Sequence, residues 1–165
     1  MKKIFAFCAV AFVAAAMFTS CNKPEENTVT VKFNKDQWTA GEVLGNQVDN
    51  KLGMEAYETN FLDATCASVA GTMGTEPGTY NNYIFYYQAN AADTTAEGDY
   101  KWGVDSHSQE ITAIDLAAHT IDAEVAETLK SGEETADLKI TMNAAVWTVD
   151  TNVYVYSKKC KARRR

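Results

Sequence analysis

The chain has 165 residues with 15 basic and 22 acidic side chains, a formal charge of −7, and its length suits one domain. Lys2 and Lys3 stand at the start and six further bases fill the last eight residues, so the body from Cys21 to Ser157 sets seven bases against 22 acids. A surface that acidic repels phosphate backbones, which excludes nucleic acid as a partner of the body.

Lys2 and Lys3 precede an unbroken apolar run from Ile4 to Phe18, and Thr19 and Ser20 then lead to Cys21. This is the order of a charged region, an apolar region and a cleavage zone in a signal peptide. The run is too short to stay in a bilayer, since about 20 apolar residues are needed to cross a hydrocarbon core of ~30 Å. It also lacks the amphipathic face that would orient a core helix. Cleavage after Ala14-Ala15-Ala16 competes with cleavage before Cys21. Phe18-Thr19-Ser20-Cys21 resembles the lipobox of bacterial lipoproteins, which implies that residues 1–20 are removed and that Cys21 is lipidated on its thiol and its new amine. Each buried acyl methylene contributes about 0.8 kcal/mol, so several chains on one cysteine give a stable membrane anchor. Residues 21–27 then form a polar, flexible tether. Asn22 is not the aspartate associated with inner-membrane retention, so the resemblance implies the outer membrane. Lys23, Glu25 and Glu26 look like the short export signal of Bacteroidota-type surface lipoproteins, which implies surface exposure, with a periplasm-facing protein as the alternative.

From Thr28 the pattern changes to period-2 alternation, the mark of strands with one buried face. Val29, Val31 and Phe33 share one face, Asn34-Lys35-Asp36 reads as a hairpin turn, and the chain returns through Trp38 and Ala40. A second pair is expected through Leu52-Met54-Ala56 and from Phe61 to Ala70, broken by Gly71, Gly74, Pro77 and Gly78. Tyr80 to Gln88 is apolar on both faces and reads as one central, buried strand. Asp93 to Asp99 is a polar loop before Tyr100 and Trp102. Ile111 to Leu129 fits two descriptions. Its apolar spacing suits a helix ending before Gly132, and it also suits a hairpin turning at Ala117-Ala118-His119 with Ile121, Ala123, Val125 and Leu129 inward. Leu138-Ile140-Met142-Ala144-Val146 alternates, as does Val153-Val155. Residues 28–157 are thus expected to form the domain, and 158–165 a solvated basic tail.

The series Phe33-Asn34-Lys35-Asp36-Gln37-Trp38-Thr39-Ala40, Pro77-Gly78-Thr79-Tyr80, Ile111-Thr112-Ala113-Ile114-Asp115 and Thr120-Ile121-Asp122-Ala123 resembles a family of small, uncharacterised Bacteroidota-type outer-membrane lipoproteins with β-rich domains. The resemblance implies an all-β antiparallel sandwich and favours the hairpin over Ile111–Leu129. A short closed barrel is the alternative, as is an α+β fold with residues 115–131 helical. Relatives tend to carry a glycine where this chain has Ala123, and the family brings no catalytic residues to carry over.

Chemistry-bearing patterns are few. Cys66 and Cys160 are the cysteines left once Cys8 departs with the leader and Cys21 is lipidated, and in an oxidising compartment they are candidates for one disulfide. Cys66 serves equally as a small buried apolar residue. No Cys-x-x-Cys pair or close histidine pair exists, so no metal or cofactor is expected. Asp93, Glu97 and Asp99 lack the ordered spacing of a calcium loop, and Asp93-Thr94-Thr95 looks like a bacterial O-glycosylation acceptor. Asp105-Ser106-His107 has the residue types of a hydrolase triad, but sequence neighbours point to different sides of a strand and no Gly-x-Ser-x-Gly elbow occurs; a polar turn is expected, with His107 and His119 exposed. Tyr86, Tyr100 and Trp102 are candidate ligand-contacting aromatics, against the plainer reading of core residues. The functional expectation is a lipid-anchored envelope module, binding or structural rather than catalytic, whose partner is a glycan or an envelope protein. The alternative is a small glycosidase-like enzyme using carboxylates dispersed in sequence.

Overall fold

The computed structural model describes residues 26–63, 65–89, 103–131 and 133–155. Among them the chain is all-β, with strands β1 (Thr28–Phe33), β2 (Asp36–Thr39), β3 (Glu42–Val48), β4 (Lys51–Tyr57), β5 (Ser68–Gly74), β6 (Gly78–Tyr80), β7 (Phe85–Gln88), β8 (Gly103–Asp115), β9 (Thr120–Ser131), β10 (Glu134–Val146) and β11 (Thr148–Val149). Six strands form one sheet in the order β2-β1-β10-β9-β8-β6, and five form the other in the order β11-β3-β4-β5-β7. Every neighbouring pair is antiparallel except β11 with β3. The two sheets stay separate, so the sandwich holds and the closed barrel does not.

The first hairpin forms as its alternation and turn residues predict. Val29 and Val31 are buried, and Phe33 pairs with Asp36 across a two-residue turn. That turn needs a left-handed backbone, which Asn34 supplies at φ 53° with less strain than a branched residue would meet. Asn34 also ties the turn to β10, donating its backbone N–H to the Asp137 carbonyl at 2.9 Å and accepting the Asp137 N–H on Oδ1 at 3.1 Å.

Several expectations are corrected. Strand β3 lay unread because Gly45-Asn46-Gln47 interrupts its apolar pattern; the side chain that completes its inner face is Trp147, whose Cδ1 lies 2.3 Å from where a Cβ on Gly45 would be. Gly71 and Gly74 do not break a strand but lie inside β5, beneath the rings of Phe85 and Tyr80, which fill the space a side chain would take. Strand β5 consequently begins at Ser68 rather than near Phe61, which sits in an exposed turn. Tyr80–Gln88 is two strands on different sheets, β6 and β7, and β7 is the last strand in its sheet, with Tyr86 and Tyr87 only half-buried. The alternation of β10 holds through Met142 and then reverses at a bulge between Met142 and Ala145. An extra residue there changes the parity of everything after it, so Ala145 and Trp147 are buried whereas Val146 is exposed. Beyond it, Val153 and Val155 lie in a turn segment rather than a strand.

Ile111–Leu129 is a hairpin and contains no helix. Strands β8 and β9 meet across Leu116–His119, where the Asp115 carboxylate accepts the N–H groups of Ala117 and Ala118, each at 2.9 Å, and His119 takes φ 55°. Ile121, Ala123, Val125 and Leu129 face the core as expected, with Ala123 opposite Ile111.

The sheets cross steeply. Along β5, Val69 pairs with Tyr87, which stacks on Phe33 of β1; Gly71 pairs with Phe85, whose N–H reaches Glu127 of β9; the Thr72 carbonyl meets Gln109 of β8; and Gly74 lies under Tyr80 of β6. One strand of the smaller sheet thus passes over β1, β9, β8 and β6 in turn, the arrangement of orthogonally packed sheets whose corners are short links. Ala40-Gly41 is such a corner, and Gly41 is required there because a Cβ would lie 2.4 Å from the Thr59 carbonyl oxygen. Between the sheets, Val31, Leu52, Met73, Phe85, Leu129 and Ile140 form the centre of one continuous apolar core.

Candidate functional site

Of the candidate contact and disulfide residues singled out from sequence, Tyr86 and Cys66 lie among those described. Tyr86 projects from β7 and is half-buried, while its neighbours Phe85 and Tyr87 turn to the core side, Phe85 buried and Tyr87 packed against the core cluster. Tyr87 stacks on Phe33 with centroids 3.9 Å apart, and burial pushes its hydroxyl above the usual tyrosine range. Tyr80 and Tyr83 face each other at 5.6 Å, and the Tyr80 hydroxyl donates to the Glu76 carbonyl at 2.9 Å. Tyr80, Tyr83 and Tyr87 therefore serve packing at the seam between the sheets. Tyr100, Trp102, Cys21, Cys160 and the Asp93–Asp99 loop lie outside the described residues. Cys66 is buried, its thiol 3.6 Å from the Asn60 carbonyl.

Ser106 and His107 lie in strand β8 rather than a turn, on opposite faces. His107 is half-buried with its Nε2 on the Asn81 carbonyl, and His119 is half-buried with its ring 5.5 Å from that of Trp147. Neither is the free surface histidine the sequence suggested.

Two arrangements of polar side chains remain. The first is a shallow groove of about 210 Å³ on the outer face of the six-stranded sheet, lined by Glu110, Thr112, Asp122 and Glu124 with Thr141 and Asn143. It lies where two bulges flank β9, one at Ile111/Ala113 and one at Met142/Ala145. Asp122 fixes both: its carboxylate accepts the Ala144 N–H at 2.6 Å, and its carbonyl accepts the Thr112 hydroxyl at 3.2 Å. Ala144 takes φ 42° there. Glu110 stands opposite Glu124 in the register, a like-charge pair that Lys139 relieves through a 3.0 Å contact with Glu124. Among the described residues no group of three or more metal-binding side chains is brought together, and the groove is smaller than an ordinary small-molecule pocket.

The second arrangement is buried and was missed in the sequence. Glu127 continues the inward series of β9 between Val125 and Leu129 and is 4 % exposed; Gln109, on the same face of β8, is 0 % exposed. Both reach across the interior to the backbone of the other sheet. Glu127 Oε1 accepts the Phe85 N–H at 2.8 Å, and Gln109 Nε2 donates to the Thr72 carbonyl at 2.9 Å. Each has one oxygen left without a partner, Glu127 Oε2 and Gln109 Oε1. Desolvation raises the Glu127 carboxyl to about 8, against only a lowering contribution from the Phe85 N–H. Held neutral, the acid is a donor as well as an acceptor. In the register Gln109 faces Val125, two residues from Glu127, a diagonal that long side chains can span. Through the Phe85 and Thr72 bonds, Glu127 and Gln109 each act as a rivet between the sheets. Period-2 reading of Ile121 to Leu129 would have placed Glu127 inside; its charge concealed it.

No protein-family model, curated protein or solved structure matches the chain.

Proposed function

We propose that the protein is a lipid-anchored module of the bacterial cell envelope, held in the outer membrane through Cys21, that binds a glycan or another envelope protein and performs no catalysis. The observation that carries the reading is the order of parts: a short apolar leader, a cysteine after small residues, the polar tether Asn22–Asn27, and then a strand beginning at Thr28. The tether is long enough to separate a folded domain from a surface and has no apolar residue to pack. The non-catalytic half of the proposal draws support from how the carboxylates are used. Glu127 is engaged in bridging the sheets, Asp122 in fixing two bulges, and Glu124 in a contact with Lys139. What they leave open is a broad polar sheet face, suited to a partner that lies on it.

The test is expression of the intact precursor and of Cys21→Ala, followed by mass spectrometry of the mature N-terminus and capture of bound glycans and envelope proteins with the mature chain. The native protein should carry acyl chains on Cys21, and the variant should leave the membrane fraction. An unmodified Cys21 in the native protein refutes the anchor, and turnover of glycosides by the purified chain refutes the non-catalytic reading.

A further inference from the structure

The turn between β4 and β5 presents Phe61 and Leu62, 52 % and 78 % exposed, side by side. Single exposed apolar residues need no explanation, but this pair stands on a turn whose backbone is fixed by polar side chains. The Phe61 N–H donates to Glu42 Oε2 at 2.7 Å, and the Leu62 N–H to Asn60 Oδ1 at 3.0 Å. The Asp63 carboxylate accepts the Thr59 hydroxyl at 2.8 Å, the Thr65 N–H at 3.0 Å and the Thr65 hydroxyl at 2.8 Å. Turn positions ordinarily take glycine, asparagine, aspartate or serine. Here the polar residues build the scaffold and the tip is given to phenylalanine and leucine.

The tip lies beside the point where the chain enters the domain. The corner Ala40-Gly41 joins it to the start of the domain: the Ala40 N–H donates to the Val29 carbonyl at 2.8 Å, and the Gly41 N–H to the carbonyls of Tyr57 and Glu58 at 3.0 and 3.2 Å. The next residue, Glu42, holds Phe61. Thr28, where the tether enters β1, is thus a few hydrogen bonds from the turn. The six residues Asn22–Asn27 extend about 20 Å at most, so an anchor on Cys21 keeps this side of the domain within reach of the membrane.

We propose that Phe61 and Leu62 form a membrane-contact site that dips into the lipid leaflet holding the acyl chains of Cys21; this rests on the anchoring reading above. Acyl chains supply attachment, and the turn supplies orientation, fixing which face of the sandwich looks away from the bilayer. The neighbouring acids Glu42, Glu58 and Asp63 favour a zwitterionic over an anionic surface, and Asp63, kept ionised by its Thr65 and Thr59 hydrogen bonds, marks the depth limit of insertion.

The test is hydrogen exchange of the mature lipidated protein in vesicles of phosphatidylethanolamine and phosphatidylcholine, compared with the Cys21→Ala chain free in solution. Exchange over Asn60–Asp63 should slow by about tenfold on vesicles, while the Val48–Lys51 hairpin at the other end of β3 and β4 stays unchanged. The double variant Phe61→Ser, Leu62→Ser should remain vesicle-bound and keep its melting temperature but lose the protection. Protein that floats with vesicles yet shows no slowing at Asn60–Asp63 overturns this inference alone, and protein that does not float and has unmodified Cys21 overturns the anchoring reading. Protection that appears in native envelopes but not in lipid vesicles assigns the turn to a protein partner and also overturns the inference.

Discussion

Glu127→Gln separates the structural role of the buried carboxyl from its charge. The folded-state value of about 8 stands above the ordinary 4.5, so the folded protein holds a proton that the unfolded chain releases across that window. Folding is therefore favoured most below pH 4.5, and the contribution is lost as pH rises towards 8 and levels off above it. At 1.36 kcal/mol per unit, the loss is about 3 kcal/mol by pH 7 and about 5 kcal/mol by pH 9. Glutamine keeps the carbonyl that accepts the Phe85 N–H and carries no charge to bury. Urea midpoints of Cys21→Ala protein with and without Glu127→Gln should then agree within about 1 kcal/mol at pH 4.5 and diverge by several kcal/mol at pH 9, with the glutamine variant the more stable. Because every other titrating group is common to both chains, the difference isolates residue 127. Midpoint curves that stay parallel from pH 5 to pH 9 would show that Glu127 ionises freely in the fold and that the rivet is misassigned.

Two further substitutions probe the frame. Gly45→Ala places a methyl group where Trp147 Cδ1 now lies, 2.3 Å away, and should destabilise by about 2–3 kcal/mol with a changed near-ultraviolet dichroism band; an unaltered melt and band would mean that the indole does not rest on the glycine. Asn34→Ala removes the side-chain acceptor for the Asp137 N–H and strains a left-handed residue, for a loss of about 1–2 kcal/mol. Asn34→Gly should recover the backbone part only, and equal melting temperatures for all three chains would discount both effects.

What was legible in the sequence is what depends on neighbours along the chain. The β1–β2 hairpin could be read because Val29, Val31 and Phe33 alternate and Asn34 tolerates its backbone angles. The Ile111–Leu129 hairpin could be read only ambiguously, since its alanines and glutamates suit a helix as well as a strand; β8–β9 pairing decided it. What stayed hidden depends on residues far away. Gly45, Gly71 and Gly74 look like breaks until the rings of Trp147, Phe85 and Tyr80 are laid over them. Tyr80–Gln88 looks like one strand because sequence cannot show that the chain crosses between sheets within it. The groove at Asp122 arises from two bulges, and nothing in Asn143-Ala144 announces that the β10 alternation will reverse there. Of the candidate contacts, Tyr86 is half-buried on β7, while Glu127, read past because it is charged, lies inside.

The pairing of β1 with β10 has a consequence for biogenesis. Val31 is matched to Ile140, so the centre of the larger sheet cannot close until nearly the whole polypeptide has been synthesised. Such long-range pairing slows folding. Under the envelope reading proposed above, that delay would be protective, because the β1–β2 hairpin would wait without its β10 partner until that strand had followed it across the membrane.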